Sequence, residues 1–78
     1  MTDMLEITVN RRRFDTRNGV TQEMTTADIA GLAGVPAQNA VVEQEGDRNE
    51  LVLVPCDTRL EITTGMHFLV TRHFVMGG

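Results

Sequence analysis

The sequence predicts one small α+β domain, in which a single short helix packs across one face of a mixed sheet of four to five strands. Three observations support this fold class. The chain has 78 residues, a length typical of one domain. Both of its ends alternate apolar and polar residues with the two-residue period of a β-strand. Between the ends lies one segment with the start and stop signals of a helix.

A β-hairpin is predicted at the start of the chain. Residues 4–10 place aliphatic side chains on one face and polar side chains on the other, as in a strand with one buried face. Residues 10–12 lie where a tight turn is expected. Residues 13–17 alternate again, with Phe14 pointing inward. The arginines at the tip are either a docking site for an acidic partner or, as is more common, solvated turn residues.

The central segment predicts a short helix. Thr25 can cap its N-terminus, and Asp28 completes a short form of the capping box. Ile29 and Leu32 form one apolar stripe, and Gly34 suits a left-handed C-cap. Because a helix of this length is unstable alone in water, we expect it to pack on the sheet.

Strand patterns return after the helix. Strands are predicted over residues 40–45, 50–54 and 65–72, and residues 59–62 are predicted to be a connecting segment that contributes core side chains. The first and last strands are the most regular. We therefore expect them to pair in parallel at the centre of the sheet, with the helix crossing one face, which is the β-grasp arrangement.

Composition argues against several classes of function. The net charge of −4 argues against nucleic acid as a partner. No apolar run has the length of a membrane span, and the acidic start of the chain lacks the basic residues of a signal peptide. Cys56 is the single cysteine, which excludes an intrachain disulfide and fits a reducing compartment. We therefore expect a cytoplasmic protein.

Catalysis is not expected from this sequence. No signature places either of the two histidines beside Cys56, and the three residues together match no metal-ligand spacing. Glycine-rich phosphate-binding loops are absent as well. The sequence predicts a protein that is not an enzyme and that holds no metal or cofactor.

The end of the chain carries the main functional signal. Residues 1–73 are predicted to form the domain, and residues 74–78 a flexible tail that ends in Gly77 and Gly78. An acyl group on glycine has no Cβ beside its carbonyl, so a nucleophile can approach from either face, and glycine can thread a narrow slot. The tail therefore suits activation of its own carboxylate inside another protein.

Apolar residues next to the glycines predict a partner-binding surface. Phe74, Val75 and Met76 would be consecutive exposed apolar residues in a free tail, which a small soluble protein usually avoids unless a partner covers them. The alternative is that Phe74 folds back onto the sheet as additional core. Leu69 points outward by parity and is predicted to join the docking surface, and His67 is predicted to be exposed.

Several segments spread through most of the chain share a known pattern. They are Ile7-Thr8-Val9-Asn10 followed by Phe14, Thr26-Ala27-Asp28-Ile29, Leu32-Ala33-Gly34-Val35-Pro36, Leu60-Glu61-Ile62, Gly65-Met66-His67-Phe68 and the terminal Gly77-Gly78. In these segments the sequence resembles ubiquitin-like proteins, and more closely the bacterial multiubiquitin-type family. The segment at the helix end and the spacing from Gly65 to Phe68 are its more specific parts. The resemblance implies the β-grasp fold.

The resemblance also implies a function as a protein modifier. In that family an activating enzyme adenylates the terminal glycine, here Gly78, with ATP. The acyl group then passes as a thioester to cysteines, and a conjugating enzyme joins it to an amine of a target protein. A JAB-type metallopeptidase removes the modifier. Such genes typically lie in operons that encode these partners, and some of these operons resemble antiphage defence systems.

Two departures from ubiquitin bear on this expectation. Ubiquitin alternates leucine and arginine before its glycines, whereas this chain has Phe74-Val75-Met76. We therefore expect a dedicated cognate activating enzyme. All seven basic residues are arginine, so the lysines on which ubiquitin builds chains are missing. We predict single attachments, or chains only through the Met1 amine, which intact-mass analysis of the conjugates would distinguish.

Two other functions are compatible with a small β-grasp domain that ends in two glycines. Small β-grasp sulfur carriers also end in two glycines and receive sulfide as a thiocarboxylate, and a non-covalent adaptor would have no use for the glycines. Exchange of oxygen for sulfur in the presence of the activating enzyme and ATP would support the carrier. A covalent adduct on a target lysine would support the modifier. An adaptor would keep its biological effect after deletion of Gly77-Gly78.

Overall fold

The computed structural model describes residues 5–72. The predicted conjugation tail, residues 74–78, lies outside the described residues. The strands are β1 (Glu6–Val9), β2 (Arg12–Asp15), β3 (Glu23–Thr25), β4 (Ala40–Glu45), β5 (Leu51–Val54), β6 (Arg59–Glu61) and β7 (His67–Arg72), and the α-helix is α1 (Thr26–Leu32). Short 3-10 segments cover Thr16–Asn18 and Ala37–Asn39.

The main sheet has five strands in the order β2-β1-β7-β4-β5. β1 and β7 pair in parallel at its centre, and the other neighbours pair antiparallel. The predicted α+β class, with one helix and a mixed sheet, is therefore confirmed, and so is the parallel pairing of the first and last strands. In the described part of the chain, no helix has the length and apolarity needed to cross a membrane.

The parallel pairing at the centre continues beyond the end of β1 through a side chain. The Thr8 N–H donates to the Met66 C=O at 2.9 Å, and the Asn10 N–H donates to the Phe68 C=O at 3.0 Å. The amide group of the Asn10 side chain then makes the next two hydrogen bonds to β7, in place of a backbone N–H and C=O. Its Oδ1 accepts from the Val70 N–H at 2.7 Å, and its Nδ2 donates to the Val70 C=O at 2.9 Å.

The turn between β1 and β2 is tighter than predicted. Asn10 and Arg11 have φ angles of 53° and 69°, both in the left-handed region. Two consecutive residues with positive φ form a primed β-turn, the mirror image of the common β-turn, whose twist matches that of the two hairpin strands. Asparagine tolerates this conformation better than most residues. The turn therefore occupies residues 10–11, and Arg12 already belongs to β2.

The second strand also ends earlier than predicted, at Asp15 instead of Arg17. The Asp15 carboxylate accepts from the Arg17 N–H at 2.8 Å, and the Asn18 side chain accepts from the Asp15 N–H at 2.9 Å. These bonds cap a 3-10 turn, which Gly19 closes at a φ of 101°. Local side-chain bonding of this kind competes with continuation of a strand.

The core lies between α1 and the main sheet. Its most buried side chains are Ile7, Val9, Val20, Val42 and Ile29, and Met24, Ala30, Val54, Ile62, Phe68 and Val70 complete the buried cluster. The predicted inward residue Phe14 packs against this cluster while remaining partly exposed. Ile29 and Ala30 bring α1 onto the sheet, as expected for a helix too short to be stable alone.

Both ends of α1 follow the sequence signals. The Thr25 hydroxyl accepts from the Asp28 N–H at 3.2 Å, and the Asp28 carboxylate accepts from the Thr25 N–H at 3.0 Å. This is the predicted capping box, a common stabiliser of helix N-termini. Gly34 has a φ of 75°, as predicted for the residue after the helix. The buried Thr26 hydroxyl donates to the Pro55 C=O at 2.8 Å and fixes the loop after β5 to the start of the helix.

A second, two-stranded sheet was not predicted. β3 and β6 pair antiparallel, with Met24 opposite Leu60. The expectation that residues 59–62 only connect two strands is therefore wrong. Both segments are three residues long, which is too short for a two-residue period to stand out in the sequence. Ile62 is buried and Leu60 packs on the core, as predicted.

The role of Asn10 can be tested by two substitutions that separate its backbone from its side chain. Asn10→Ala removes both hydrogen bonds to Val70 and places a Cβ-bearing residue without a local polar partner in the left-handed region. We expect a loss of about 2–3 kcal/mol in the free energy of unfolding. Asn10→Gly removes the same bonds without the backbone strain, so its loss should be smaller by about 1 kcal/mol. Urea unfolding measures both, and equal losses would contradict the left-handed assignment.

Candidate functional site

The candidate site is the face of the main sheet opposite α1, here called the outer face. Side chains alternate between the two faces of a strand, so the residues next to the buried ones point to this face. The register aligns one row of outer-face residues across all five strands. In order from β2 to β5 they are Arg13, Thr8, His67, Glu45 and Leu51.

A second outer-face row lies beside the first. Leu69 of β7 is opposite Glu43 of β4, which is in turn opposite Leu53 of β5. Leu69 is half-buried on this face, whereas Val70, the next residue, is in the core. The prediction that Leu69 points outward is therefore confirmed, and His67 is exposed as predicted.

Charge divides the outer face into a basic and an acidic side. Arg11 and Arg13 are exposed at the β1–β2 hairpin, and Glu43 and Glu45 lie on β4. The axes of β2 and β4 are three strand spacings apart, about 14 Å. The two arginines are thus solvated, as the more common interpretation of this turn predicted, and they also form one side of a polarised surface.

An open groove of about 550 Å³ runs between the two charged sides. Its lining includes Arg11, Arg13, Glu45, Leu51 and Leu69. The groove therefore has the apolar side chain of Leu69 between arginine on one side and glutamate on the other, and Leu51 lies beyond the glutamate. Such a surface can bind a peptide segment that carries an apolar side chain between an acidic and a basic group.

The chemically reactive side chains do not meet in this groove. Cys56 is exposed and lines a separate depression beside the start of α1, together with Thr26 and Asp57. His67 lies on the outer face, in the groove. Within residues 5–72 no three histidine, cysteine or carboxylate side chains come together in a way that could hold a metal ion.

The predicted tail residues cannot be placed by geometry, but the strand before them can. Phe74, Val75 and Met76, as well as Gly77 and Gly78, lie outside the described residues. β7 precedes them and occupies the centre of the sheet. It pairs with β4 as far as Arg72, which is opposite Ala40. The described chain therefore ends in a hydrogen-bonded strand.

In comparisons with known proteins, no family model, no curated protein and no solved structure matches this chain.

Part of the outer face was missed by sequence reasoning because it depends on register. Val41 and Val42 are adjacent and equally apolar, so the sequence alone leaves the inward parity of β4 ambiguous. Pairing of Val42 with the inward Val70 decides it and turns Glu43 and Glu45 outward. The sequence predicts Leu51 only as part of a strand, and its position at the edge of the groove follows from the strand order.

Matched substitutions in β7 test which side chains of this strand point to the outer face and which point to the core. Leu69→Ala removes a half-buried side chain from the outer face, and we expect it to lower the free energy of unfolding by about 1 kcal/mol or less. Val70→Ala removes a smaller side chain from the core but leaves a cavity, so we expect a loss of about 2 kcal/mol or more. Urea unfolding compares the two variants. A larger loss for Leu69→Ala would contradict the assignment of the faces.

Proposed function

We propose that this protein is a ubiquitin-like modifier with the β-grasp fold. In this proposal an ATP-dependent activating enzyme activates the Gly78 carboxylate, and the acyl group is carried as a thioester and joined to amines of target proteins. The pathway would be a bacterial, operon-encoded one with a role in antiphage defence. A conjugating enzyme and a JAB-type deconjugating metallopeptidase are its further partners.

The strand order supports the β-grasp part of the proposal. The first and last strands lie side by side in parallel at the centre of the sheet, with an antiparallel strand beyond each of them. Helix α1 packs against one face through Ile29 and Ala30. This is the arrangement expected from the sequence and from its resemblance to ubiquitin-like proteins.

The observation that carries the functional part is the position of β7. The strand that leads to the glycines is the central strand, and it remains paired through Arg72. Six residues separate Arg72 from the end of the sequence, and they span at most about 20 Å when extended. An enzyme that binds the sheet can therefore find the acyl carbon within about 20 Å of the end of β7.

The proposed chemistry uses no catalytic group of this chain. The Gly78 carboxylate attacks the α-phosphorus of ATP, which forms an acyl adenylate and releases pyrophosphate. A thiolate of the activating enzyme attacks the acyl carbon and releases AMP. After transfer to a second thiol, an amine of the target attacks, an amide forms and the thiol leaves. The enzymes supply thiolates made reactive by their surroundings, and the modifier supplies an unhindered acyl carbon.

The outer face supplies the recognition surface in this proposal. Leu69 lies on the strand that leads to the tail, so an enzyme bound at the groove lies about 10 Å from Arg72, the last residue of β7. The charge division fixes the orientation of the partner. A matching enzyme surface carries acidic groups opposite Arg11 and Arg13, and basic groups opposite Glu43 and Glu45.

The position of the last basic residue, Arg72, makes conjugates easy to identify after digestion with trypsin. Trypsin cuts after Arg72, and no later residue is a trypsin site. A target lysine joined to Gly78 would therefore keep the six-residue remnant His-Phe-Val-Met-Gly-Gly after digestion. We expect this remnant on lysines of other proteins when the tagged chain is expressed with the genes beside its own, purified under denaturing conditions and digested for mass spectrometry.

The control is the same chain without Gly78, which keeps every described residue. It should yield no remnant, because the second glycine that presents the acyl group is lost. If the tagged protein shows oxygen replaced by sulfur at Gly78 and no remnant on other proteins, the sulfur carrier replaces the modifier. If neither product forms and the chain without Gly78 keeps its biological effect, the non-covalent adaptor replaces the modifier.

A further inference from the structure

The two edges of the main sheet differ in chemistry. β2, at one edge, has three charged residues among its four. β5, at the other edge, is Leu51-Val52-Leu53-Val54, with no charge and no proline. Leu51, Val52 and Leu53 are 47%, 56% and 62% exposed. Natural sheets usually protect an edge with charges or proline, so an exposed apolar edge without them indicates a pairing site.

The hydrogen-bond pattern shows which backbone groups of β5 are free to pair. The Gly46 N–H donates to the Glu50 C=O at 2.8 Å, in line with the register of β4 and β5. In an antiparallel pair, successive residues point their N–H and C=O groups alternately toward and away from the neighbour. Glu50 and Val52 therefore face β4, and the N–H and C=O groups of Leu51 and Leu53 point away from the sheet.

We propose that β5 pairs antiparallel with β5 of a second copy of this chain. The outward backbone groups select a register in which Leu51 lies opposite the second copy's Leu53, and Leu53 opposite the second copy's Leu51. Each of these two pairs exchanges two hydrogen bonds. The four leucines then form one cluster on the outer face, and Val52 meets the second copy's Val52 on the other face. Glu50 lies opposite Val54, so no like charges face each other.

A second copy matches this edge in both backbone and side chains. Its β5 presents the same outward N–H and C=O groups and the same uncharged side chains. Each group that one copy offers therefore meets a complementary group of the other.

The proposed assembly closes at two copies. The pairing is isologous, because each chain uses the same edge, and the remaining edges are the charged β2 strands. The result is one continuous sheet of ten strands, twice the five of a single chain. Its contact area is small and each copy carries a net charge of −4, so we expect a weak dimer that is stabilised by added salt. This inference does not depend on the proposed modifier function.

A matched pair of substitutions at Leu53 tests the pairing. Leu53→Pro removes an N–H that points away from the sheet, so the internal hydrogen bonds remain, and proline is tolerated on an edge strand in this orientation. Leu53→Val has a similar apolar side chain and keeps the N–H. The test is the molar mass of each protein by sedimentation equilibrium from about 10 μM to about 1 mM, the range in which weak specific association is detected.

We expect the wild type and Leu53→Val to approach the mass of two chains as concentration rises, and Leu53→Pro to remain a single chain. Thermal unfolding checks that both variants are folded. A wild type that is monomeric throughout would overturn the proposal, as would a folded Leu53→Pro variant that associates as well as Leu53→Val.

Amide hydrogen exchange on the wild type gives a second test that needs no variant. The amides of Leu51 and Leu53 should exchange about tenfold more slowly at the highest concentration than at the lowest, because only pairing with a second copy protects them. The Val52 amide faces β4 and should change little. Equal exchange of Leu51 and Leu53 at all concentrations would overturn the proposal even if the proline variant failed to fold.

Discussion

The parallel contact between β1 and β7 is the interaction on which the rest of the fold depends. It joins the two antiparallel parts of the sheet, β2-β1 on one side and β7-β4-β5 on the other, and no tight turn connects its two strands. Its last two hydrogen bonds connect Asn10 and Val70, which are 60 residues apart in sequence. Contacts this distant form only after a large loss of chain entropy. The helix core and the outer face both require that contact, because each draws side chains from both halves.

Local sequence signals predicted much of this architecture. The capping box of Thr25 and Asp28, the left-handed Gly34 and the alternation of the strands all depend on residues close together in the chain, so they can be read without knowing the fold. The positions of β4, β5 and β7 and the parallel centre of the sheet agree with those patterns. The fold class was accessible because nearly every element has its own local signal.

Features that depend on pairing were not accessible in the same way. β3 and β6 are each three residues long, and only their contact with each other makes them strands. Asn10 reads as an ordinary turn residue until β7 lies beside it. The same holds for the candidate site. Leu69 could be assigned to the outer face by parity, but only the register places Glu43 beside it and Leu53 beside Glu43. The prediction for Gly77 and Gly78 rests on the chemistry of glycine and on the resemblance to ubiquitin-like proteins.

The central position of β7 also determines how the domain responds to force. An unfolding machine that pulled on the chain from its C-terminal side would load β7 first. That strand is bonded to β1 on one side and to β4 on the other, and it runs parallel to β1. Extraction would have to shear both rows of bonds together instead of peeling an edge strand away one bond at a time. The domain is therefore built to resist mechanical removal from the end that carries its glycines.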